Sequence, residues 1–215
     1  MRTLILSTLL AVFAPAASGA ASGADTGAAA GAKFRAEGTV LVYDTEHSGE
    51  DGEITPGDID GLRAALRENS GVATLRLNSA GGSIWAAEDM SRIVTDFDLD
   101  TEVDGECSSS CVTIFLGGRA RSMTRGSRLG LHSRWWAAED VQNYYERNKA
   151  EEHWDTPFEF GAWIYEDTQA EVYEAISFVV SRGVDPAFAI EMHAPRDSMW
   201  YPGRAELEKA GVLRP

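Results

Sequence analysis

The sequence is short of positive charge. Against 34 Asp and Glu it sets only 19 Lys and Arg, a formal net charge of −15. Neutralising a phosphate backbone takes a basic face, and docking on anionic lipid takes a basic patch, so this balance argues against nucleic acid and against a membrane surface as partners. Cysteine is scarce as well: Cys107 and Cys111 are the two in the chain. Nothing near them supplies two further ligands at a familiar spacing, which argues against a zinc site, and no other metal or cofactor signature is present. The C-x-x-C spacing of a redox pair is also missing. Two thiols four positions apart either join in an oxidising compartment or remain as two small buried side chains. There is no internal repeat, no Walker ending in Lys-[Ser/Thr], and no G-x-G-x-x-G. Beyond the first twenty residues no apolar run is long enough to cross a membrane.

What is present is an ordinary globular balance, 44% hydrophobic and 25% charged, over 215 residues. Arg2 precedes an apolar run at 4–13, then Pro15 and a series of small residues. A positive start, a short apolar stretch and a small-residue exit describe a secretory signal peptide over 1–20; the other reading is a retained anchor, which the shortness of the run disfavours. Residues 21–33 are rich in Gly and Ala and read as a flexible lead-in. Residues 34–215 are expected to form one domain of a periplasmic or secreted product. Loss of 1–20 removes Arg2 and no acid, so the mature chain is more acidic still and carries no membrane segment.

Strand and helix patterns alternate along the domain. An apolar stretch at 37–43 reads as a strand. Thr55-Pro56 reads as a cap and first turn, opening a helix over 56–67 with Ile59, Leu62, Ala65 and Leu66 at helical spacing. Strands are expected at 72–77, 101–104 and 128–132, and helices at 84–94, about 168–181, 186–193 and 202–212. Residues 135–166 carry an unusual load of aromatic and acidic side chains and read as an insertion. This order indicates an α/β fold on mostly parallel strands with surrounding helices.

Three local features can carry chemistry. Asn78-Ser79-Ala80-Gly81-Gly82-Ser83 joins a strand to a helix; its paired glycines either form a plain tight turn or free N–H groups for an anion. Gly105-Glu106-Cys107-Ser108-Ser109-Ser110-Cys111 enters an apolar helix, where a serine is either a cap or a nucleophile in the positive end of the helix dipole. His132 ends an apolar strand, and matters only if a serine lies beside it, because a hydroxyl is inert without a base.

The three motifs, in this order and spacing, resemble the Clp protease proteolytic subunit and its crotonase-superfold relatives over roughly half the chain, 40–132 and 192–212. The Cys-x-Ser-x-Cys core is closest to that of exported ClpP-like proteins. The resemblance implies Ser109 as nucleophile, with Ser108 and Ser110 as adjacent rivals, and His132 as general base. It further implies oxyanion donors at the backbone N–H groups of Gly82 and Ser110, and Asp197 as third triad member, on a looser match. Asp197 can equally be a turn residue or an ion-pair partner of Arg196 or Arg204. An exported serine hydrolase acting on peptides or unfolded protein is therefore expected, with a homo-oligomer allowed. The alternative is a catalytically inactive binding or scaffold protein on the same fold. A crotonase acting on coenzyme A thioesters and a thiol-redox role rank behind both. A Cys107–Cys111 disulfide would stiffen the turn that holds the serine.

Overall fold

Val40, Leu41, Val42 and Tyr43 suit a pleated, half-buried surface, and they lie in strand β2, Val40–Asp44. The computed structural model describes residues 33–49 and 52–214. The signal peptide and lead-in expected over 1–33 therefore lie, except for Lys33, outside the described residues. Strand β1, Phe34–Glu37, pairs antiparallel with β2 across a turn at Gly38. Helix α1, Gly57–Glu68, comes next, and its Ile59, Leu62 and Leu66 face the core. Asp58 in its first turn accepts hydrogen bonds from Tyr43 Oη at 2.8 Å, Lys33 Nζ at 3.0 Å and the Thr55 N–H at 2.7 Å. That buried bond network, not the expected Thr55 hydroxyl cap, fixes the entry to the helix. Burial first, then the Asp58 charge and hydrogen bond, hold the Tyr43 phenol well above its ordinary range.

The chain then runs through β3, Thr74–Ser79, α2, Ile84–Asp96, β4, Asp100–Ser108, and α3, Cys111–Leu116. Strands β5, Arg121–Met123, and β6, Arg128–Gly130, complete a six-stranded sheet. Its order is β1-β2-β3-β4-β5, with β6 also on β4, and every pairing but β1–β2 is parallel. This is the expected α/β layer. Leu41, Leu75, Leu77 and Val103 from the strands pack with Met90, Ile114 and Phe115 from the helices in one core.

Strand β4 is longer than its sequence suggests. The apolar pattern stops near Asp104, yet the strand continues to Ser108 after an irregularity: Leu77 pairs with Val103, but Ser79 pairs with Cys107. Gly105, with φ +112°, sits in that bulge against Asn78, whose Oδ1 accepts the Glu106 N–H at 3.0 Å. The second half of β4 then pairs with β6. A bulge of this kind bends the strand and re-aims the residues beyond it.

Helix α4, Ala138–Asn148, and helix α5, Pro157–Ser181, occupy the region expected as an insertion. The expected helix at 168–181 begins eleven residues earlier, because Thr156 and Glu159 form a capping box with Pro157 in the first turn. Phe160 and Trp163, one turn apart on α5, join Tyr144 and Trp154 in a separate aromatic cluster. Helix α6, Pro186–Met192, is capped by Asp185, and α7, Arg204–Lys209, precedes the end of the chain. Among the described residues no helix is long and apolar enough to cross a membrane.

Arg121 ties the parts together. It is 1% exposed, and its guanidinium donates to the carbonyls of Val212, Leu116, Gly118, Arg182 and Gly211. It thus joins β5, the end of α3, the end of α5 and the C-terminal segment. An apolar replacement would leave these carbonyls without a donor in a dry place. Arg121→Met is expected to lower the unfolding free energy by about 3–5 kcal/mol, read by urea denaturation.

Candidate active site

Ser109 stands between β4 and α3 with φ +55°, in the left-handed region where a non-glycine residue is strained. Its N–H donates to the Gly130 carbonyl at 2.9 Å, which pins the turn to β6. Cys107 at the end of β4 and Cys111 at the start of α3 are joined by a disulfide, and both are fully buried. The bridge closes the short loop that contains Ser109. It leaves the serine free to face its partner: Ser109 Oγ lies 2.7 Å from His132 Nε2.

The other two serines are engaged elsewhere. Ser108 Oγ donates to Glu106 Oε1 at 2.5 Å, and Ser110 Oγ donates to the Gly82 carbonyl at 3.1 Å. Ser109 is therefore the member of the triplet that meets the histidine. On the far side of the ring, His132 Nδ1 lies 2.8 Å from the Ser133 carbonyl. A carbonyl only accepts, so Nδ1 carries the proton in the neutral ring and Nε2 presents its lone pair to the Ser109 hydroxyl. That is the tautomer a general base needs.

The glycine turn lies directly against this pair. A Cβ on Gly81, whose φ is +112°, would come within 2.8 Å of Ser109 Cβ and 2.9 Å of the Ser108 carbonyl oxygen. Ile54 clamps the turn: its N–H donates to the Gly81 carbonyl and its carbonyl accepts the Ser83 N–H, each at 2.8 Å. Ser83 caps α2 by accepting the Ala86 N–H. Among the described residues, neither the Gly82 N–H nor the Ser110 N–H donates to a protein acceptor. Two unused N–H groups beside a serine and a correctly oriented histidine can receive a developing oxyanion.

Asp197 does not join the constellation. It is exposed and makes no hydrogen bond or ion pair among the described residues, neither to His132 nor to Arg196 or Arg204. The orienting contact expected of it is made by the Ser133 carbonyl. Its segment still backs the site: the Arg196 N–H reaches Ser133 Oγ at 3.4 Å, and Trp200 pairs with Leu131 through two backbone bonds of 2.8 Å.

A cluster that sequence reasoning missed supports the turn from below. Glu106 accepts from Ser108, from Tyr201 Oη at 2.8 Å and from Arg128 Nε at 2.8 Å, while the Arg128 guanidinium stacks over the Tyr201 ring. Burial alone would raise the Glu106 carboxyl, but hydrogen bonds from Ser108, Tyr201 and Arg128 outweigh it and hold the group below its ordinary range. The alternation of Glu106 and Ser108 on one strand face was a usable signal; Tyr201, 95 residues away, carried none. Among the described residues no group of three or more His, Cys, Asp or Glu is placed to hold a metal ion.

No protein-family model matches the chain, and no curated protein does either. Solved structures do match. A point mutant of ClpP1 from Listeria monocytogenes aligns with a TM-score of 0.52 at 12% identity, over 81% of this chain and 88% of that one. At that identity the likeness establishes a ClpP-like fold and nothing finer.

The geometry has two measurable consequences. Replacing both cysteines, Cys107→Ala with Cys111→Ala, is expected to cost about 2 kcal/mol of stability in urea, the entropy of so short a closed loop. Glu106 has a depressed folded pKa, so its contribution is complete above the ordinary glutamate range and is lost as pH falls through the lower folded value. The stability gap between the native chain and Glu106→Gln should therefore be open at neutral pH and close under acid.

Proposed function

We propose that the chain is an exported serine hydrolase that cleaves peptides or unfolded polypeptide, with Ser109 as nucleophile and His132 as general base. The observation that carries the reading is the 2.7 Å contact between Ser109 Oγ and His132 Nε2, made with the opposite ring nitrogen on a carbonyl. The ClpP-like fold is consistent with it. Export rests on the signal-like start of the sequence, and the disulfide suits an oxidising compartment.

In the proposed reaction, Ser109 Oγ attacks the scissile carbonyl as His132 Nε2 takes its proton. The oxyanion of the tetrahedral intermediate is held by the N–H groups of Gly82 and Ser110. The imidazolium returns the proton to the leaving amine, and water, deprotonated by the same nitrogen, releases the acyl group from Ser109. The Ser133 carbonyl keeps the ring in place and accepts from the charged Nδ1–H. Arg134, beside Trp135 in the chain, bonds Glu88 at 3.2 Å and faces Glu171 at 3.6 Å.

A fluorophosphonate probe tests this. The mature chain should label, Ser109→Ala should not, and His132→Ala should label about 10²-fold more slowly or worse. Asp197→Asn should stay within roughly threefold of the native rate, where loss of a working triad aspartate costs about 10⁴. Absence of Ser109-dependent labelling in a folded chain would leave the binding or scaffold reading.

A further inference from the structure

At the opposite end of α3 from Ser109 lies a cavity of about 450 Å³, lined by Thr95, Asp98, Arg119, Arg121, Arg182 and Arg214 among others. Four of those side chains are guanidinium groups, in a chain with nearly twice as many acids as bases. Elsewhere several arginines of this protein meet carboxylates, Arg76 with Glu102, Arg128 with Glu106, Arg134 with Glu88 and Arg196 with Glu191, while Arg204 bonds the Met123 and Thr124 carbonyls. In the cavity only Arg119 meets carboxylates among the described residues, Asp98 and Asp100.

The other three are drawn together by backbone bonds. Arg121 and Arg214 exchange N–H···O bonds of 2.7 and 2.9 Å, and Arg121 Nη2 donates to the Arg182 carbonyl at 3.0 Å. Arg121 spends its whole fork on carbonyls. Arg182 spends Nε and Nη2 on Leu116, Gly117 and Gly118, leaving Nη1 unused among the described residues. Arg214 has an exposed side chain that engages no acceptor among the described residues. Carbonyl dipoles solvate these cations but do not neutralise them. The Arg121 guanidinium registers this: burial, then the charges of Arg182 and Arg214, push it down to about 10.

Three clustered cations that form no ion pair among the described residues, two of them with free donors beside a cavity whose one lining carboxylate, Asp98, is taken by Arg119, make a receptor for negative charge. We propose that this cavity binds a small, multiply charged oxyanion, a phosphate or a polycarboxylate, held by Arg214 and Arg182 Nη1 over the Arg121 charge. The inference does not rest on the proposed hydrolase chemistry.

The test compares the thermal stability of the whole mature chain in sodium phosphate and in sodium citrate with sodium chloride at matched ionic strength. Phosphate, citrate or both should raise Tm saturably, by roughly 3–6 °C near saturation, and the arm that does so identifies the oxyanion. Arg214→Gln, an exposed substitution that preserves the fold, should remove most of that rise, and Arg214→Lys should keep part of it. Equal Tm in all three salts, or a rise that survives intact in Arg214→Gln, overturns the proposal. Ser109→Ala should bind the anion like the native chain, so failure here and failure of the hydrolase reading are separable.

Discussion

A serine at φ +55° costs on the order of 1–3 kcal/mol, and it persists only where its surroundings leave no alternative. Around Ser109 three constraints combine. The bulge at Gly105 turns the end of β4 onto β6, so that the Ser109 N–H finds the Gly130 carbonyl. The Cys107–Cys111 bridge fixes the separation of strand and helix on either side. The bare Gly81 backbone lets the neighbouring turn close to within contact of the serine side chain. All three bear on the same residue, and they hold the hydroxyl on His132 and the backbone against the glycine turn.

The same constraint explains how the rest of the sheet is arranged. Helix α3 has six residues, too few to be stable alone, and it is fully committed at both ends. Its start carries the disulfide; its last carbonyls are gripped by Arg121 and Arg182, which reach in from β5 and from the end of α5. The C-terminal segment closes over Arg121 in turn. Residues separated by up to 91 positions therefore act on one short helix, and its rigidity is what keeps Ser109 in place.

How much of this the amino-acid sequence discloses depends on the range of each interaction. Helix α2 and the parallel strands rest on local patterns, so they are legible; the pairing of Ser109 with His132, 23 residues apart, comes from the order of three motifs that resembles the Clp protease subunit. The front half of α5 was legible in principle, because Thr156, Pro157 and Glu159 spell a helix start, but the density of aromatic side chains there reads as an insertion. The extension of β4 was not: its outer half is held by pairing with β6 and by the side chain of Asn78, and its own residues alternate poorly. Short β5 has the same origin, three residues kept by neighbours. Asp197 shows the limit of motif matching, for an acidic residue in about the right place says nothing of where a long loop points it.

The orienting group on the histidine changes what the site can do. A carboxylate on Nδ1 would both fix the tautomer and stabilise the imidazolium with a full charge; the Ser133 carbonyl fixes the tautomer equally well but offers only a dipole. The stretch from Cys107 to His132 holds four arginines and no acid, so no charge within it makes up the difference. The proposed hydrolysis must then draw more of its transition-state stabilisation from the N–H groups of Gly82 and Ser110. The Ile54 clamp and the Ser110–Gly82 hydrogen bond hold these two proposed donors, on separate elements, in a fixed relation. The proposed chemistry is thus weighted toward a rigid backbone, which the strained turn, the disulfide and the buried arginine all serve.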